Sequence, residues 1–296
     1  MRLRQIEVFH AIYTTGSISA AARALHVSQP SVSKVLHHTQ AQLGFELFTL
    51  VRGRLVATDE AHALFVETRE IFQRMGSLQK TVANLRSQGG GHLRIAVVPA
   101  LGLQVAPQAI ADYRRQHPQV TFEVQTLHHD KLFQSLYERQ CDIAFAYDPP
   151  PHPRMQHREL ARARVMALFR PGELALDEGQ VPIEALHGRD VVGLTHSGPV
   201  GDLIGEALQR HAVAIHEVVS SQTYYLAAAL ARCGAGLTVV DAYTAHASAG
   251  PGLHCAPLRP ALEFRVDCVH LEDRPPSQVA EGFIAVFART LRAAAG

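Results

Sequence analysis

Cysteine is sparse: four residues, at 141, 233, 255 and 268, with no C-x-x-C spacing. Neither a zinc site nor a disulfide framework fits that pattern. Free, buried thiols in a reducing cytoplasm fit it better, with a redox-sensing pair as the alternative. Long apolar runs are missing too, and the N-terminal MRLRQIEVFHAIY has neither an apolar signal core nor a small-residue cleavage site. The expectation is a soluble, cytoplasmic chain with no membrane span. An excess of one charge sign is also lacking, the formal total being +1, which argues against a general polyanion binder. No G-x-S-x-G, H-E-x-x-H or Cys–His set stands where it would be catalytic. Gly198-Pro199-Val200-Gly201 with Gly205 fits neither a dinucleotide fingerprint nor a Walker loop. His37-His38 and His128-His129 are adjacent pairs, and adjacent residues on a helix do not share a face. No catalytic residue, cofactor or metal ligand is assigned.

What is present is an ordinary globular composition, 47% apolar over 296 residues, enough for about two domains with a sizeable core. The charge is unevenly placed. Residues 1–58 carry Arg2, Arg4, Arg23, Lys34, Arg52 and Arg54 against Glu7 and Glu46, a net of +4, which leaves −3 for the remainder. A basic head on a neutral body fits a nucleic-acid reader joined to a domain with a different partner.

Within that head, residues 17–43 read as two short amphipathic helices with a tight break at His26-Val27. Ser17 can cap the first, and Ile18, Ala21, Ala22 and Leu25 recur at helical spacing. Ser28 is a second capping candidate, and Pro30 falls where a missing N–H costs nothing. Val32, Val35 and Leu36 form the inner stripe of the second helix. Gln29, Pro30, Ser31, Ser33, Lys34 and His37 lie mostly outside it. Gln and Ser can pair with base edges, Lys with guanine or phosphate, and the open N–H groups of the helix start attract phosphate. The arrangement has helix-turn-helix form, with a solvated helix face as the plainer reading. Residues 2–15 form a covering helix through Leu3, Ile6, Phe9, Ile12 and Tyr13. Arg52-Gly53-Arg54, between Leu50-Val51 and Leu55-Val56, reads as a two-stranded wing whose Arg52 and Arg54 grip phosphate or a minor groove.

Residues 1–58 resemble the DNA-binding domain of LysR-type transcriptional regulators. The resemblance rests on Leu3, Phe9, Gly16-Ser17, Ala20-Ala21-Ala22, Leu25, Val27 through Ser33, Leu43-Gly44, Leu47-Phe48 and Thr58. Three positions depart from that pattern: Leu50 where Arg is usual, Ala57 where Pro is usual and Gln40 where Glu is common. The missing Arg at 50 removes one phosphate contact and shifts the load to Arg52 and Arg54. The resemblance implies a winged helix-turn-helix, a linker helix, double-stranded DNA with paired half-sites as partner, and a homotetramer.

Residues 59–88 carry Leu64, Thr68, Ile71, Met75, Leu78, Val82 and Leu85 at alternating spacings of four and three. That is a heptad seam, expected to pair with its twin in a homodimer; packing on its own domain is the alternative. Past the Gln88–His92 linker, strand and helix patterns alternate. Strands are expected at 93–98, 120–127, 142–147, 160–169, 189–194, 215–219, 237–240 and 264–271. Helices are expected at 104–116, 130–139, 200–211, 223–232 and 276–294. This is an α/β pattern occurring twice, with two crossings, so the regulatory domain over 89–296 is expected to be two-lobed and periplasmic-binding-protein-like. Lobe I takes about 92–161 and 267–296, lobe II about 162–266.

Ligands of such sheets sit beyond the carboxyl ends of strands. Three stretches lie there: Pro99-Ala100-Leu101, Thr195-His196-Ser197-Gly198 and Ser220-Ser221-Gln222-Thr223. Thr195, His196, Ser197, Ser221, Gln222 and Thr223 are candidate contacts for a carboxylate effector, with plain helix capping as the competing role. Ala100 and Leu101 suggest an apolar wall. Asp148 could hold an effector's amine or cap the proline loop. Residues 221–244 are similar to the branch of the family that senses amino acids and opines, with Asp241 part of that likeness. The expected function is a ligand-responsive DNA-binding regulator. Its alternatives are an α/β enzyme tethered by its head and a constitutive DNA-binding protein.

Overall fold

The computed structural model describes residues 1–51, 53–86, 91–194 and 197–294. The chain divides into two compact units, Met1–Arg86 and Ser87–Gly296.

The first unit opens with α1 (Leu3–Thr15), α2 (Ile18–Ala24) and α3 (Gln29–Leu43). Gly16 and Gly44 end α1 and α3 in left-handed conformations, at φ +66° and +80°, where glycine carries no Cβ penalty. Ser17 caps α2 by accepting from Ala20 N. Ser28 stands at the N-cap of α3, but its hydroxyl bonds no helix N–H, so only half of its expected role is realised. Val8, Phe9, Ile12, Ala21, Ala22, Val32, Leu36 and Leu47 share one core. The hairpin of β1 (Phe48–Val51) and β2 (Arg54–Ala57) pairs Val51 with Arg54. Gln40 Oε1 accepts from Leu47 N and Phe48 N, fixing where the hairpin leaves the helices. That bond gives the unusual Gln40 a structural reason.

The long α4 (Asp59–Arg86) starts on Thr58, whose hydroxyl accepts from Ala61 N. Tyr13 stacks on Phe65 at 3.8 Å, and His10 lies between Phe65 and Phe72 at 5.1 and 4.1 Å. These rings pin the first half of α4 to α1. Along the heptad, Thr68 is buried and Leu64 packs on the head's core, whereas Ile71 is exposed and Met75 half-buried. The seam therefore begins against its own domain. The side chains of Leu78, Val82 and Leu85 lie outside the described residues, as do Gln88 to Gly90 of the linker.

The second unit repeats one topology. In lobe I, β3 (His92–Val97) lies parallel between β4 (Thr121–Thr126) and β5 (Ile143–Tyr147). In lobe II, β8 (Asp190–Gly193) lies parallel between β9 (His216–Ser220) and β10 (Leu237–Asp241). Each lobe thus runs second–first–third, the order that opens a crevice beside the first strand's carboxyl end. Strand β6 (Met155–Phe169) joins them. Its residues 155–164 pair with β12 (Glu263–Leu271) of lobe I, and its residues 165–168 pair with β10 of lobe II. The strand begins five residues before the expected 160: Met155 is buried, but Gln156 to Glu159 are four consecutive polar residues without apolar alternation, and their pairing with β12 extends the strand. The return crossing runs from β11 (His254–Arg259) into β12.

Helices α5 (Pro99–Leu103), α6 (Val105–Gln116), α7 (His129–Tyr137), α8 (Pro199–Arg210), α9 (Tyr224–Arg232), α10 (Ala242–Ser248) and α11 (Gln278–Ala294) cover the sheets. Short α5 and α10, the two-residue β7 (Val181–Pro182), and β11 with its Pro257, which pairs with both β6 and β7, were not expected from the sequence. One or two turns of helix carry too little periodicity to read. Phe287 of α11 stacks on Phe145 of β5 at 3.7 Å. Burying each such ring contributes about 1.5–3 kcal/mol.

Candidate DNA-reading helix and effector cleft

Helix α3 has two faces. Val32, Leu36 and Thr39 are buried; Gln29, Pro30, Ser31, Ser33, Lys34, His37 and His38 are exposed. Pro30, Ser33, Lys34 and His37 line an open groove of about 540 Å³ along the outer face. Because Ser28 spends no oxygen on the first turn, the amides there remain open to an anion. Gln29 is partly engaged: its Oε1 accepts from Ser19 Oγ at 3.0 Å, tying α3 to α2. Its amide hydrogens remain available, but a two-point pairing with adenine needs the Ser19 bond to open. In the wing, Arg54 is exposed and Gly53 turns at φ +78°; Arg52 lies outside the described residues. Leu50, at the position where Arg is usual, is 75% exposed.

In the second unit the two crevices meet. Tyr147, the last residue of β5 in lobe I, donates its hydroxyl to Asp241 Oδ1 at 3.0 Å, at the end of β10 in lobe II. Asp241 also caps α10 by accepting from Thr244 N at 2.9 Å through the same oxygen. Burial pushes the Asp241 carboxyl above its usual range, against the bonds that stabilise it. Tyr147 and Tyr243 stack at 6.2 Å, and His129 lies 6.4 Å from the Tyr147 ring. His129 begins α7 in lobe I, yet it abuts Gly198 of lobe II. A Cβ at Gly198 would stand 2.5 Å from His129 Cδ2. Tyr224 Oη reaches Ser197 O at 3.1 Å. Asp241 Oδ2, Tyr243 Oη and His129 Nε2 are each without solvent access and without a hydrogen-bond partner. Tyr147→Phe keeps the ring and removes the inter-lobe bond. Unfolding of the second unit is expected to ease by about 1–2 kcal/mol in a urea melt; an unchanged midpoint would mean the bond does not form in solution.

Known proteins match both units. Residues 3–62 fit the model of the bacterial regulatory helix-turn-helix protein, lysR family, and residues 86–292 fit the LysR substrate binding domain. The chain belongs to the LysR family. It is a ligand-responsive, DNA-binding transcriptional regulator of that type. The HTH-type transcriptional regulator DgcR of Pseudoalteromonas sp. is 41% identical over 284 residues, covering 96% of this chain and 98% of that one. The transcriptional activator protein LysR of Escherichia coli K12 is 27% identical, over 96% and 91%. The solved full-length CbnR in complex with its target DNA shares the fold, with a TM-score of 0.73 at 22% identity over the whole of both chains.

In this LysR-type chain the sequence-assigned cleft residues fall into groups. Ala100 and Leu101 are fully buried at the start of α5, with Pro99 half-exposed beside them. Ser197 is buried and donates to Leu194 O; Ser221 is buried and donates to Thr223 O. Both hydroxyls thus hold their own turns. Thr223 stands at the N-cap of α9 without a capping bond, and Gln222 is exposed. Thr195 and His196 lie outside the described residues. Asp148, at φ +35°, turns away from the strand, and its carboxylate takes Arg265 N and Nε at 3.3 and 3.1 Å. Its carboxylate is thus already held by a cation of β12. Tyr147 and Tyr243 escaped the sequence reading. Their two traces there were the apolar Ala-Phe-Ala-Tyr ending of β5 and the Asp-Ala-Tyr-Thr start of α10.

Proposed function

We propose that the outer face of α3, through Gln29, Pro30, Ser31, Ser33, Lys34 and His37, reads base edges and phosphates in a major groove, with Arg52 and Arg54 of the wing on the flanking backbone. The observation that carries this is the division of α3 into a buried apolar stripe and an unbroken exposed polar face. Two copies pair through α4 to place two heads on two half-sites, and pairs assemble into a tetramer. The protein works in the cytoplasm and has no catalytic role.

The effector is a small metabolite, an amino acid or related carboxylate. It sits between the lobes at the ends of β3, β8 and β9, near Pro99 to Leu101, Asp148, Thr195 to Ser197 and Ser221 to Thr223. The lobes are joined by two strand crossings, so a ligand that touches both biases their closure. Only a ligand that prefers one closure state shifts the heads.

The test is duplex binding by fluorescence anisotropy on a fragment from upstream of the chain's own gene. Lys34→Ala is expected to weaken binding by about 1–3 kcal/mol if it reads a base edge, and to relax specificity there. If Lys34 touches only phosphate, the loss is uniform across sequences and the salt slope falls by about one. Unchanged affinity at low salt would reject both roles. Met75→Glu places like charges in the α4 pairing and is expected to weaken self-association at least roughly tenfold, about 1.4 kcal/mol. An undiminished dimer by sedimentation would place the pairing elsewhere.

A further inference from the structure

We infer that Ser19 of α2 sets the base preference of the reading helix, by holding the Gln29 amide so that it offers a duplex hydrogen-bond donors. Gln29 is thereby assigned a guanine edge and not an adenine edge. This rests on the major-groove reading by α3 proposed above and deepens it at one position.

Ser19 is the second residue of α2, and Gln29 is the first of α3. The Ser19 hydroxyl donates to Gln29 Oε1 at 3.0 Å. The two helices are fixed against each other beside that bond. Ala21, Ala22, Val32 and Leu36 lie in one core, and Val27 N donates to Ala22 O at the break. The hydroxyl thus meets the amide with no movement of the backbone. Gln29 is exposed, and its NH2 group has no protein partner among the described residues. The carbonyl end of the amide is turned to α2, and the NH2 end is left for a duplex. A long side chain loses rotamer freedom when it docks. Ser19 removes part of that freedom beforehand, in one orientation.

The chemistry of base edges then decides. In the major groove guanine offers two acceptors, N7 and O6, whereas adenine offers N7 beside the N6 donor. Cytosine shows a donor, and thymine a single acceptor beside its methyl group. An amide that shows only its N–H groups matches guanine best. Two-point pairing with adenine needs the carbonyl and the NH2 to face the base side by side. The oxygen has a second lone pair, but such pairing also fixes the plane of the amide, and Ser19 already fixes that plane from the side of α2. Ser19 is therefore a positioning residue, acting on the duplex through Gln29.

The experiment selects duplexes from a randomised pool with the full chain and with three variants. Competition between duplexes that differ at one pair then gives the preference there. Gln29→Ala locates the pair under the side chain, as the one whose preference it erases. At that pair the unaltered chain is expected to favour guanine over adenine at least roughly fivefold. Ser19→Ala frees the amide to turn over and is expected to lower that ratio at least roughly fivefold. Ser19→Thr keeps a hydroxyl and is expected to keep the ratio. Ser19 is only half-buried, and alanine suits a helix, so Ser19→Ala is expected to stay folded. An adenine preference in the unaltered chain, or an unchanged ratio in Ser19→Ala, would overturn the assignment while leaving Gln29 a base reader. A loss of affinity in Ser19→Ala that is equal for every duplex would make Ser19 a phosphate contact and overturn it as well. If Gln29→Ala erases no preference, the proposed reading by Gln29 fails, and this assignment fails with it.

Discussion

Val32→Asp is expected to abolish duplex binding. Val32 is completely buried on the inner face of α3, in the core formed with Phe9, Ile12 and Leu36. An unpaired carboxylate there costs about 3–5 kcal/mol, because the described residues of that core offer no cation to take it. A head of this size holds only a few kcal/mol of stability, since small domains bury too little surface for more. The first unit should therefore melt early in calorimetry, while the second, with its own core, keeps its transition. Ser33→Ala, one residue on and exposed, should move stability by no more than about 0.5 kcal/mol. Wild-type DNA affinity in Val32→Asp would mean that Val32 does not pack against Phe9 and Ile12 in solution.

The contrast between those neighbours is also why the head could be read from sequence. Its interactions are local: Val32 and Leu36 repeat at helical spacing, Ser17 caps three residues ahead, and Gly16 and Gly44 stop their helices. The parallel strands of the second unit were equally legible as apolar runs between helices. The cleft was not. The bond between Tyr147 and Asp241 spans 94 positions, and nothing in local pattern couples residues so far apart. Asp148 looked suited to hold an amine because it follows a strand, but its left-handed backbone turns it onto Arg265. Ser197 and Ser221 have the residue type for ligand binding, yet each hydroxyl serves a nearby carbonyl. Gln29 shows the same limit, since Ser19 lies ten positions earlier and takes its oxygen. Residue type predicts what a side chain can bond; only the fold decides which partner reaches it first.

Acid should destabilise the second unit through His129. Its imidazole is pushed down to about 4, chiefly by burial and also by His128, against the opposing pull of Asp130, Asp148 and Asp202. In the unfolded chain the ring titrates near the ordinary 6.5. Between those values the unfolded chain holds a proton that the folded chain refuses, so stability falls as pH drops from about 6.5 to about 4. The loss is negligible above pH 7, about 2 kcal/mol at pH 5 and about 3 kcal/mol once both forms are protonated. Asp241 acts in the opposite sense: its raised carboxyl keeps a proton in the fold above 3.8. It thus favours the folded chain at low pH and loses that effect as pH rises through its folded value. His129→Gln removes the first contribution and leaves the second. Denaturant melts at pH 7.5 and pH 5 should therefore show the wild type losing about 2 kcal/mol more than the variant. Equal losses would mean that the ring is solvated. The consequence reaches the cleft because His129 abuts Gly198 of the other lobe, where any Cβ would collide with the ring. A protonated ring needs water at that seam, and water there separates the lobes.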